Sequence, residues 1–155
     1  MIMNSISSET SPITTTTEAT VRGGAAARRI RRAVTILIAV LVAMIDWVIC
    51  TQLVGLDLMV DQGAGPTPVN PLLVGLAPVL SGLSGWALLA ILERINRRRG
   101  PTIWMIIAIV VAVLSCWSPW AMALSVSIAV ALTSMHVLVG ATVIIGMMIS
   151  GARRP

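Results

Sequence analysis

The sequence predicts an all-α membrane protein, an antiparallel four-helix transmembrane bundle behind a disordered N-terminal tail. Three observations carry this. Of 155 residues, 57% are hydrophobic and 11% charged, where a soluble domain carries about 25% charged residues. A mean hydropathy of +0.94 points the same way, and the bilayer is the solvent that suits so apolar a chain. Four apolar runs are each long enough for a hydrocarbon core of about 30 Å. Finally, all eleven basic residues are arginine, and most stand in short clusters at the ends of those runs.

Residues 1–32 read as a basic cytoplasmic tail. Met1 to Ala27 is rich in Ser and Thr, including Thr14 to Thr17, with no sustained apolar period. A cleaved signal peptide is the weaker alternative, because the basic region lies far from the start and no small-x-small site closes the apolar run. The transmembrane domain is 33–155. Its first helix, about 33–54, follows Arg28, Arg29, Arg31 and Arg32 and spans about 33 Å at helical rise. The loop from Gly55 to Asn70 holds Asp57 and Asp61 and no basic residue. Its partial alternation from Leu56 to Asp61, followed by Gly63, Gly65 and Pro66, predicts a short hairpin.

The second helix covers about 71–92, with Asn70 as N-cap and Pro71 at the first helical position. Pro78 frees the carbonyl of Val74 and predicts a kink. Arg94, Arg97, Arg98 and Arg99 fill a tight turn, with Glu93 spaced to pair with Arg97 one helical turn away. The third helix is about 101–118 and the fourth about 121–150, followed by Arg153 and Arg154. Thirty residues exceed the core thickness, so the last helix tilts or its outer end lies in the interface.

Orientation follows from arginine. The tail, the second loop and the C-terminus hold every basic residue, and the other two loops hold none. The positive-inside rule then puts both termini in the cytoplasm of a multi-pass protein in the plasma membrane. Trp104 near the inner boundary and Trp117 and Trp120 near the outer one read as interfacial belts.

Two residues within the spans could carry chemistry. Asp46 lies about 20 Å from the inner end of its helix, where an acidic side chain costs about 2.5–3.5 kcal/mol. It is either a proton, cation or counter-ion site, or a protonated group that hydrogen-bonds a neighbouring helix. His136, the one histidine, lies at nearly the same depth, about 21 Å. The two form a candidate intramembrane polar pair; otherwise His136 bonds a backbone carbonyl one turn back, or Thr133. Ala77, Ser81 and Gly85, and likewise Thr142, Gly146 and Ser150, recur every four residues and read as helix-packing stripes within the chain or at a homodimer seam. Cys50 and Cys116 lie at similar heights and are expected to be free buried thiols, the alternative being a disulfide. Asp57 and Asp61 read as a solvated face, too few for a calcium cage.

The chain carries no nucleophile elbow, H-E-x-x-H helix, P-loop or dinucleotide fingerprint. No enzymatic activity, cofactor, metal or nucleic-acid partner is expected; the partners are the lipid bilayer and a second copy or another membrane protein. No internal repeat signals an inverted-repeat transporter. The reading is a structural or interaction component of the membrane. The alternative is a small proton-coupled transporter using Asp46.

One resemblance adds to this reading. The basic segment before the first helix, Val54-Gly55-Leu56-Asp57-Leu58, the stretch Ser81-Gly82-Leu83-Ser84-Gly85-Trp86-Ala87-Leu88-Leu89 continuing to Leu92-Glu93-Arg94, and Met135-His136 resemble an actinobacterial family of four-helix membrane proteins, a domain of unknown function. The similarity covers Ala33 to Arg154. It implies the four-helix topology and no activity. Small multidrug exporters also combine four helices with an acid in the first, but the long first loop, the aspartate and the Ser/Thr tail depart from that pattern.

Overall fold

The computed structural model describes residues 13–151. Arg153, Arg154 and the first twelve residues of the expected tail lie outside the described residues. Helix α1 spans Ile13–Val48 and runs into a π-helical turn at Ile49–Leu53. A hairpin of β1 (Met59–Asp61) and β2 (Pro66–Pro68) follows, then α2 (Pro71–Ile95), α3 (Gly100–Ser115), a short α4 (Ser118–Met122) and α5 (Val126–Gly151). Four stretches among the described residues are long and apolar enough to cross a membrane: Ala26–Leu53, Pro71–Ile95, Gly100–Met122 and Val126–Gly151.

Helix α1 begins well before residue 33, so residues 13–32 continue the first helix where the sequence reading places a disordered tail. Alanine and arginine are strong helix formers, and a helix nucleated by the apolar span extends backward at one hydrogen bond per residue. Gly23 and Gly24 oppose this by only about 1 kcal/mol each.

The hairpin forms where the loop predicts it, in the register Met59 to Pro68, Val60 to Thr67 and Asp61 to Pro66. Gly63 and Gly65 take φ of 92° and 99°, a region that strongly favours glycine. Asp61 organises this turn instead of simply facing solvent: its Oδ1 accepts from the Gly63 and Gly65 amides at 2.8 and 3.2 Å. The hairpin docks on the bundle through buried Leu58 and a bridge from Val60 to Ala123.

Asn70 caps α2 as expected, its Oδ1 accepting from the Leu72 amide at 2.8 Å, with Pro71 in the first turn. Helix α2 stays continuous through buried Pro78. The thirty-residue fourth helix does not form. The chain breaks at Ala123, whose backbone is extended, and α5 restarts with Ser125 Oγ accepting from the Ile128 amide at 3.3 Å. The break leaves α5 at 26 residues, about 39 Å, close to one bilayer with modest tilt.

The four long helices form a ring in the order α1, α2, α3, α5, each packed on two neighbours, with only a thin α2–α5 diagonal. Two apolar clusters fill it. Ile36, Ala39, Leu89, Trp104, Val143 and Met147 pack towards the end bearing the arginine turn. Cys50, Leu58, Ile128, Ala131, Leu132 and Met135 pack under the hairpin. Both cysteines are free.

Candidate functional site

The seam between α1 and α5 is built by small side chains. Ala39 and Ala43 are buried on α1, and Met147 and Ser150 on α5. A Cβ placed on Gly146 would run into the Thr35 side chain, so only glycine lets α1 approach this closely. Thr35 and Ser150 spend their hydroxyls on carbonyls of their own helices, Arg31 O at 3.0 Å and Met147 O at 2.7 Å.

Half-buried Asp46 crosses this seam. Ser134 Oγ donates towards its Oδ2 at 3.0 Å and lies 2.7 Å from Ala131 O. One hydroxyl proton serves one of these oxygens. Ser134 thus links the carboxyl of α1 to the backbone of α5 at a single point on the seam.

The candidate pair of Asp46 and His136 is not formed. His136 Nδ1 donates to Leu132 O one turn back, at 2.7 Å. Depth alone misled here. Ser134 and His136 differ by two residues, about 3 Å in height but about 200° in direction around α5, so only one of them can face α1.

On the opposite side of α5 lies a cavity of about 930 Å³ between α2, α3 and α5, reaching under the hairpin. Ala77, Ser81, Ser84 and Gly85 of α2 form one wall, and His136 lies on the α5 wall. Trp104, 1% exposed, closes it towards the arginine turn. Trp104 is therefore no interfacial belt residue: its indole Nε1 donates to Gly85 O at 2.8 Å and pins α3 to α2. Trp117 and Trp120 are exposed, as expected of belt positions. Gln62 and Thr67 of the hairpin segment, with Asn70, reach the other end of the cavity. Asp46 is not among its lining residues.

The packing stripes therefore divide. Gly146 and Ser150 do bring α5 against α1. Thr142 turns its hydroxyl to Leu138 O at 2.7 Å on an exposed face. Ala77 and Ser81 are exposed along the cavity, and Gly85 borders it. The close contact on α2 is made instead by buried Gly82, where an added Cβ would come within 2.7 Å of Ile36 Cγ1.

At the arginine end, Arg32 is buried and donates through a terminal guanidinium nitrogen to Glu93 Oε1 at 2.8 Å, tying α1 to α2. Glu93 thus pairs across helices and not with Arg97. The Arg32 Nε and Trp47 Nε1 atoms are buried without a partner among the described residues. Arg28, Arg29, Arg31, Arg94, Arg97, Arg98 and Arg99 are exposed. Among the described residues, no group of three or more His, Cys, Asp or Glu side chains could hold a metal ion.

Fold and site together define a multi-pass membrane protein with a closely packed α1–α5 seam and, among the described residues, an open cavity between α2, α3 and α5. The match to a family model covers residues 23–153, and the chain belongs to that family, described as a family of unknown function (DUF6069). The matched region takes in Arg28, Arg29, Arg31 and Arg32. No curated protein and no solved structure matches the chain.

Proposed function

We propose that this chain is a non-enzymatic structural or interaction component of the cytoplasmic membrane, with both termini in the cytoplasm and its partner either a second copy or another membrane protein. The reading includes an actinobacterial source, in keeping with a basic set made only of arginine. The observation that supports it best is the use of Asp46. Its carboxyl meets Ser134 across the α1–α5 seam and does not line the cavity, which is how a packing residue behaves. A proton-coupled carrier needs its acid where substrate and water can reach it.

The test is proton flux in liposomes reconstituted with the full chain. We expect no flux driven by a pH gradient above protein-free liposomes, and the same result for Asp46→Asn with its helical content retained. A flux present in the native chain and abolished in Asp46→Asn would overturn the reading in favour of transport.

A further inference from the structure

We propose that the cavity between α2, α3 and α5 is a binding site for an uncharged lipophilic alcohol, entered from the bilayer and recognised by His136. The first support is position. The cavity wall includes Leu73 and Ala77 of α2 and Ile107 and Val111 of α3, all exposed. These residues lie within two membrane-spanning stretches, so the medium at the opening is hydrocarbon. The occupant must therefore carry an apolar chain.

The second support is length and closure. From Pro71 at the hairpin end to Gly85 beside Trp104, α2 rises about 21 Å, and Trp104 closes the far end. The volume of about 930 Å³ falls in the range of about 300–1,000 Å³ that small-molecule sites occupy.

The third support is chemical. No Asp, Glu, Lys or Arg lines the cavity, so a charged headgroup would find no counter-charge there. His136 supplies one directed polar group. A carbonyl can only accept, so the ring nitrogen facing Leu132 O carries the hydrogen. In the uncharged ring, Nε2 is then an acceptor. The contact with Leu132 O is the hydrogen bond His136 makes among the described residues, leaving Nε2 for a hydroxyl donor on the ligand. A hydroxyl on an apolar body satisfies both the wall and the imidazole; an alkane satisfies only the wall.

The inference does not depend on whether Asp46 moves protons, and its test reads neither flux nor Asp46. The full-length protein in lipid nanodiscs is labelled with a photoreactive hexadecanol bearing a diazirine, against competing hexadecanol or hexadecane. We expect label on cavity-wall peptides containing Ser84, Ile107 and His136. We expect hexadecanol to compete about fivefold better than hexadecane, the size of one net hydrogen bond. His136→Leu should bring the two competitors to parity while labelling persists. Ser84→Trp, which fills the cavity from α2 without altering His136, should remove the cavity label in a protein whose helical content is unchanged. Label spread evenly over the bilayer-facing surface, including Leu37 on α1 and Ile145 on α5, both exposed and outside the cavity lining, would overturn the proposal. So would equal competition by alcohol and alkane in the native chain, or undiminished cavity label in folded Ser84→Trp.

Discussion

The half of the bundle around α1 and the half around α3 are made of similar residues and packed in opposite ways. Helix α1 buries Arg32, Thr35, Ile36, Ala39 and Ala43, because glycines on both neighbours let it come close: Gly82 on α2 and Gly146 on α5. Helix α3 buries only Gly100 and Trp104. Opposite it, the small residues Ala77 and Ser81 border open volume and not another helix, and Gly85 meets α3 through the Trp104 indole. In a bilayer, lipid chains compete with side chains for every apolar surface, so association rests on fit and on hydrogen bonds. Small residues record where bulk is missing. Whether a helix or a cavity takes the space depends on what lies opposite.

Four single substitutions and one double replacement test that contrast. The largest effect is expected on the α1 side, from Glu93→Ala. It strands the buried Arg32 guanidinium, and breaking such a pair costs about 3 kcal/mol. Equilibrium unfolding of the protein in mixed detergent micelles measures it. Replacing both partners together, as in Arg32→Met with Glu93→Leu, should recover most of the loss. Next is Gly146→Val, which forces a side chain into Thr35. Overpacking of this kind costs about 2 kcal/mol by the same measurement. Asp46→Asn should cost about 0.6 kcal/mol, typical of a hydrogen bond between membrane helices, since the amide still reaches Ser134. Smallest is Ser81→Val on the cavity side. It has room to accommodate the change and should stay within about 0.5 kcal/mol of the native chain. If Ser81→Val destabilises as much as Gly146→Val, the contrast between the halves is lost.

Much of the fold was legible in the sequence because bilayer thickness and turn chemistry are one-dimensional constraints. Run lengths marked the spans, Asn70-Pro71 marked the start of α2, and Gly63 and Gly65 marked the hairpin turn. The beginning of α1 was not legible, because Ser/Thr-rich composition argues against helix while the adjoining span propagates one. The break at Ala123 was not legible either: no Pro or Gly stands there, and the backbone turns where Val60 of the hairpin bridges it. Facing was the hardest part. Depth pointed to His136 as the partner of Asp46, but the direction of a side chain around α5 decides its partner, and there Ser134, two residues earlier, met the acid. Burial of Trp104 and Arg32 was hidden for the same reason. Both residue types also serve at interfaces, and only the glycines and carbonyls of a neighbouring helix show which role applies. The signal that could have found Arg32 was Glu93, an acid among arginines near the end of α2 and level with the basic stretch of α1.

The placement of the five tryptophans has an optical consequence. Trp117 and Trp120 face outward near the hairpin end, while Trp104 is shielded at the bottom of the cavity. A nitroxide on a lipid chain quenches indole fluorescence at short range. Quencher carried in the surrounding bilayer will dim the exposed Trp117 and Trp120 most, and Trp104 will dim further when a chain threads between α2 and α3. The molecule thus carries its own lamp at the one place where entry into it can be watched.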